Sequence, residues 1–373
     1  MPTFVGILLE TVPPSKHITP LLRQVGKVIW PDFMLLPRRP SLSHRSSSPQ
    51  SPSPLVVGLR WTAGAFALSL AAIGAVNTII AARTPPLGPR IEGLFGRYPA
   101  RYGDLAYSIA GQGTPIVLVH SLDPGQSSAS WRAVFDLLAN EFTVYAFDWQ
   151  GFGLSDPNPE GLNAREFGAQ LRDFIRDIVG EEAIVIAHGN AAPLVLEAAK
   201  IDQISALVLV CPSGSAPDEP RETERAEFLA QKEFNDRLLE VPIIGTAVLN
   251  WWRSKAHLKR EAHDFTLWDK SQVETETRLW HVTSHQKGAQ RAQKALLKGR
   301  FAAPWRKLWQ ESNTPTLLIW GRHARGFESA SEWGALRPDA TLQVVEHALW
   351  MPQLDAPQQL ASFVSEWVKK RTG

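Results

Sequence analysis

The 373-residue chain holds a single cysteine, Cys211, which excludes an intrachain disulfide framework and leaves the redox compartment unread. It has no excess of one charge sign: 39 basic and 37 acidic residues leave a formal net charge of +2, so a nucleic-acid or polyanion partner finds no support. No set of His, Cys and carboxylate residues has metal-ligand spacing, and neither a phosphate loop nor a dinucleotide fingerprint is present. The sequence therefore calls for no metal and no cofactor, and it carries no internal repeat. Cys211 closes an apolar run that begins at Ala206, where a buried, inert thiol is expected.

What the chain does have is 44% hydrophobic residues, enough for one large core with appendages. Its longest uncharged run is WTAGAFALSLAAIGAVNTIIAA, Trp61 to Ala82, bordered by Arg60 and Arg83. At about 1.5 Å per helical residue such a run crosses a hydrocarbon core of about 30 Å. The expectation is a single-pass membrane protein, with residues 55–84 as the anchor and 61–82 as its membrane contact. Ala67, Ala71 and Ala75 recur at four-residue spacing, which permits close helix pairing.

Residues 1–54 form an amphipathic and low-complexity segment. Ile18, Leu21, Leu22, Val25, Val28 and Ile29 share one helical face, as in a membrane-surface helix or an ordinary packing helix. Pro37 to Pro54 is a Ser/Pro/Arg-rich linker that cannot build a core. An organellar transit segment or a cleaved signal peptide are the alternatives. Basic residues flank the uncharged run on both sides, so orientation stays open, as does the choice between Met1 and Met34 as the start.

Residues 88–373 alternate short apolar runs with helical patterns. The runs at 116–120, 143–148, 183–188, 206–211, 315–320 and 342–345 read as buried strands, and 164–180 reads as a helix with an apolar face. This implies an α/β fold with a mostly parallel central sheet and helices on both faces. Residues 215–305 lack a convincing strand and carry Trp251, Trp252, Trp268 and Trp280, which fits a helical cap insertion.

Several motifs sit at the strand ends. VLVHSL is followed by SASW, DWQGFGLSD fits D-x-x-G-x-G-x-S, AIVIAHGNAAP runs from a strand through a sharp turn into a helix, and PTLLIWGRHA precedes LWMPQLDAP. Together they resemble the α/β-hydrolase superfamily over about residues 96–370. The resemblance implies a nucleophile on a strained elbow, an acid after a later strand and a final histidine base. At those positions this chain has Gly189, Ala324 and Trp350. The backbone donors that would hold an oxyanion are the N–H groups of Leu122 and Asn190, and the pocket candidates are His120, His188, Trp252 and Trp350.

The substitutes within reach are few. His347 becomes the base only if the ungapped match of PQLDAP is abandoned, and Ser121 and Ser213 are hydroxyls without an evident base. The expectation is a membrane-anchored, non-catalytic member that binds an apolar small molecule or a protein partner. The rival is an active esterase-like or lipase-like hydrolase, or a lyase, using non-standard residues. A third reading is a purely structural module with an aromatic-filled interior.

Overall fold

A computed structural model describes residues 71–157 apart from Ile73 and Ala81, then 163–200, 203–213, 233, 236–266 and 270–372. The chain divides into two compact units, residues 1–72 with 220–238 and residues 73–219 with 239–373, and nearly every described residue belongs to the second. The N-terminal segment, its linker, residues 61–70 of the uncharged run, residues 214–232 and Trp268 lie outside the described residues. Among those described, no helix is long and apolar enough to cross a membrane.

The second unit is built on one eight-stranded sheet. Its strands are β1 (Leu94–Ala100), β2 (Gly103–Ala110), β3 (Pro115–Val119), β4 (Thr143–Phe147), β5 (Ala183–His188), β6 (Ile204–Val210), β7 (Thr316–Gly321) and β8 (Thr341–Val345), in the order β1-β2-β4-β3-β5-β6-β7-β8. The β1–β2 and β2–β4 pairings are antiparallel and all the others are parallel. Every position of β3, β5 and β7 is buried, because a run that is apolar on both faces is stable only where helices cover both.

Successive side chains feed opposite faces. Val117, Val185 and Leu207 pack with Phe167 and Leu171 of helix Ala164–Phe174, Leu194 of helix Ala192–Ala198 and Trp309 of helix Trp305–Glu311. Ile116, Ile184 and Val208 pack with Phe135 of helix Arg132–Ala139 and Val364 of helix Pro357–Thr372. Helix Ala164–Phe174 starts at a capping box, in which Asn163 accepts from the Glu166 N–H while the Glu166 carboxylate accepts from the Asn163 N–H. It does not run unbroken to residue 180: a π-helical turn, Ile175–Val179, follows, and Gly180 closes it.

The β1–β2 hairpin is an addition to the six apolar runs. Its strands, LFGRYPA and GDLAYSIA, are largely exposed or half-buried, so they lack the continuous apolar signal of the central strands. Between β6 and β7 the described residues form the helices Pro242–Trp252, Lys255–Phe265, Lys270–Ser284 and Ala289–Leu297, a helical insertion or cap. Glu276 of the cap is buried and paired with Arg132 at 2.7 Å, and it also accepts from Trp280 Nε1 at 2.8 Å.

The topology picks out one place. From β3 the chain crosses to β4 on one side, and from β4 it crosses back to β5 on the other. The carboxyl ends of β3 and β5 therefore flank the point where strand order reverses, where open α/β sheets place their sites.

Candidate functional site

At the end of β5 the chain turns at Gly189 with φ +61° and enters a short 3-10 turn, Gly189–Ala191, that leads into helix Ala192–Ala198. Positive φ costs glycine nothing, so the elbow keeps its backbone without a side chain at the apex. The space a side chain would need is filled. A Cβ built on Gly189 would lie 2.7 Å from Ser121 Oγ and 3.2 Å from Trp350 Cζ2.

The turn after β3 meets the elbow through a closed polar network. Ser121 Oγ lies 2.7 Å from Asp123 Oδ2 and 2.9 Å from Asn190 Oδ1, two acceptors for one hydroxyl proton. Asn190 Nδ2 donates to Asp123 Oδ1 at 3.1 Å. The Leu122 N–H donates to Asn190 Oδ1 at 2.7 Å, and the Asn190 N–H reaches Ser121 Oγ at 3.4 Å. Both backbone donors expected to hold an oxyanion are thus directed at oxygens of this chain. Burial pushes the Asp123 carboxyl up to about 6. Asp123, immediately after VLVHSL, is the residue that sequence reasoning missed.

His120 and His188 hold backbone rather than line an open pocket, and both are buried. His120 Nε2 accepts the Trp149 N–H at 3.1 Å, which leaves Nδ1 to donate to the Ser121 carbonyl at 2.7 Å. Its pKa is lowered by burial. His188 Nε2 donates to the Trp350 carbonyl at 2.9 Å, and burial brings this histidine down to about 4. The GFG turn is knitted in the same way: Asp148 Oδ1 accepts the Ser128 N–H at 2.6 Å, Oδ2 accepts the Leu154 N–H at 2.8 Å, and Ser155 Oγ donates to the Asp148 carbonyl at 2.6 Å. Its donors are spent on the fold, not on a phosphate.

The remaining positions fall at the same edge of the sheet. Ala324 is buried just after β7, its N–H donating to the Gly321 carbonyl at 3.0 Å, and Trp350 follows β8, half-buried between His188 and Phe265. Asp355 Oδ2 caps the Leu349 N–H at 2.9 Å. His347 is exposed on the turn after β8, and Ser213 uses its N–H to hold the Gly189 carbonyl at 3.1 Å. Trp252 is half-buried at the end of its cap helix. Cys211 has φ +43°, the only non-glycine residue with positive φ among those described, and burial pushes its thiol up to about 12. A shallow recess with room for about one water, about 10 Å³, bordered by Arg90, Ile91, Phe95, Ser108 and Asp148, is lined by none of Gly189, Ala324 and Trp350. No group of three or more metal-ligating residues occurs among the described residues.

An eight-stranded sheet with an elbow after β5 and a helical insertion after β6 is the architecture of an α/β hydrolase. The match to the "Alpha/beta hydrolase family" runs over residues 116–363, and the chain belongs to that family. A Mycobacterium tuberculosis protein is 26% identical over 144 residues, which cover 38% of this chain and 42% of the relative's length. The soluble epoxide hydrolase of a Corynebacterium species is 35% identical over 82 residues, 22% of this chain and 28% of that enzyme. A thermophilic esterase from Thermogutta terrifontis superposes with a TM-score of 0.59 at 18% identity, covering 74% of this chain and 99% of the esterase, a likeness of fold alone.

Proposed function

We propose that this chain is a membrane-tethered member of the family that does not hydrolyse esters at its elbow and acts by binding a partner protein. One observation carries the reading: the elbow has no side chain, and the volume its Cβ would need is held by Ser121 Oγ at 2.7 Å. With the Leu122 N–H already donating to Asn190, an acyl intermediate would have neither a nucleophile nor a free donor there. A site closed by its own side chains favours interaction over turnover. The tether is the uncharged run 61–82.

A second reading has its own support. Trp350 Nε1 and His188 Nδ1 are buried without a hydrogen-bond partner, and an apolar small molecule with one accepting group would suit the Trp350 donor. The hydrolase reading draws on the relatives' activities and would have to route through Ser121, the one hydroxyl beside a carboxylate at the elbow.

A fluorophosphonate probe and an activated ester separate these readings. No labelling and no saturable turnover are expected of the full chain. Labelling that Ser121→Ala abolishes would establish the hydrolase instead. Quenching of tryptophan emission by a titrated long-chain fatty acid, lost in Trp350→Phe, would establish the small-molecule reading. Retention in membranes after carbonate washing tests the tether.

A further inference from the structure

Of the six strongly exposed large apolar side chains among the described residues, Val76 at 55% and Ile79 at 49% exposure flank Asn77, and Val241 at 42% lies two residues before Ile243, whose carbonyl Asn77 reaches. Val76 and Ile79 belong to the described end of the uncharged run, where residues 74–80 are helical. Thr78 Oγ1 donates to the Gly74 carbonyl and Thr84 Oγ1 to the Ile80 carbonyl, both at 2.9 Å, the i to i−4 contacts of a continuing helix. Val241 precedes the cap helix Pro242–Trp252, whose sequence PIIGTAVLNWW has no charged residue.

That composition is unusual for a surface helix. Among its described side chains only Gly245 and Leu249 are buried, and Ile243, Ile244, Val248, Trp251 and Trp252 remain half-exposed. A charge-free helix with two terminal tryptophans, left part-exposed along its length, suits the membrane interface better than water.

The two apolar segments are fastened to each other by polar side chains. Asn250 Nδ2 donates to Asn77 Oδ1 at 2.5 Å, and Asn77 Nδ2 reaches the Ile243 carbonyl at 3.5 Å. Buried Arg253 sets the direction of the first bond: its Nε and Nη2 both donate to Asn250 Oδ1, so the Asn250 amide must turn its N–H toward Asn77. Gln286 Nε2 adds a bond to the Pro85 carbonyl at 2.9 Å. Asn77 lies five residues before Ala82, about 7.5 Å along a helix axis. That matches the roughly 5–10 Å depth at which interfacial helices ride. Exposed Arg83 and Lys255, each just beyond an apolar segment, add positive charge at the level of the headgroups.

We infer that the cap helix Pro242–Trp252 lies in the interface of an anionic bilayer beside the anchor, so that the cap, and not the far side of the sheet, faces the membrane. The inference rests on the tether reading, and the test separates the two. The full chain is reconstituted into vesicles containing phosphatidylserine, with an environment-sensitive fluorophore on Val241→Cys, Ile79→Cys or Leu342→Cys in turn. Buried Cys211 stays unlabelled in the folded protein, and exposed Leu342 on β8 serves as the water-facing reference.

Carbonate-resistant retention, with blue-shifted emission quenched by lipid-borne quenchers at 241 as at 79 and no quenching at 342, is the expected result. Retention with quenching at 79 but none at 241 overturns the interfacial cap and leaves the tether standing. Loss of the protein from the vesicles on carbonate washing overturns both. A Trp252→Lys variant, folded by circular dichroism, should lose quenching of the 241 label while remaining carbonate-resistant.

Discussion

Ser121 Oγ occupies the position that a side chain on Gly189 would need, standing 2.7 Å from where its Cβ would lie. The two residues come from the ends of neighbouring strands, β3 and β5, so their complementarity is a property of the sheet register and not of a mobile loop. Real Cβ atoms do not approach an oxygen this closely, and the hydroxyl cannot swing away without giving up its contact with Asp123.

Gly189→Ser alone should therefore destabilise the fold, by about 1–3 kcal/mol, from positive-φ strain plus a displaced hydrogen bond. Ser121→Gly in the same chain should recover much of that loss. Urea denaturation of both single variants and the double variant measures the coupling. Additive effects would mean that the two positions do not compete.

Hydrolysis through a serine at the elbow should require Ser121→Gly in addition to Gly189→Ser, Ala324→Asp and Trp350→His. The version that keeps Ser121 should stay unlabelled by a fluorophosphonate, whereas the fourfold variant should label and show a burst with an activated ester, because catalytic groups act as a unit. Adding Asn190→Ala frees the Leu122 N–H, and a gain on the order of 100-fold in burst rate is expected from one recovered oxyanion donor.

Much of this is legible in the sequence. Strands β3 to β7 announce themselves because side chains on both faces are apolar, whereas β8, TLQVV, is buried only at Val345, and the elbow shows in the glycine of AHGNAA. The β1–β2 hairpin hides because Leu94, Arg97 and Gly103 belong to a half-wet edge with no continuous apolar signal. The mesh of Ser121, Asp123 and Asn190 was hidden for another reason. Ser121 and Asp123 are near neighbours, but Asn190 lies 69 and 67 positions from them, and only the strand register brings it within bonding distance. Leu122 and Asn190 were recognisable as donors, but nothing local reveals that Asn190 satisfies one of them itself.

Acid should weaken the protein through His188. Its pKa is about 4 in the fold against an ordinary 6.5, so the unfolded chain binds more protons between those values. The contribution of His188 to stability is complete above pH 6.5 and is lost as pH falls toward 4, at most about 3 kcal/mol. Asp123 works the other way: held at about 6 against 3.8, it destabilises the fold as pH rises through that window. Unfolding measured from pH 4 to 7 should show a shallower acid loss for His188→Gln and a steeper one for Asp123→Asn.

The ion pair between Arg132 and Glu276 fastens the cap to the sheet domain. Arg132→Ala should strand a buried carboxylate and cost on the order of 2–3 kcal/mol, whereas the apolar pair Arg132→Met with Glu276→Leu should come close to the parent protein in thermal denaturation. A loss in the double variant equal to that in Arg132→Ala would assign the cost to packing of the arginine stem.

The positive φ at residue 189 also gives substitutions at this site a direction. Replacing an elbow side chain by glycine releases strain, on the order of 1 kcal/mol, and opens a volume of about one methyl group. Once a hydroxyl from position 121 has settled into that volume and gathered Asp123 and Asn190 around it, the reverse step meets a collision that the forward step never encountered. A path between a serine elbow and this arrangement is free of steric conflict only when position 189 loses its Cβ before position 121 gains its oxygen. The glycine elbow is then the stable end of that sequence, entrenched by a single side chain from the neighbouring strand.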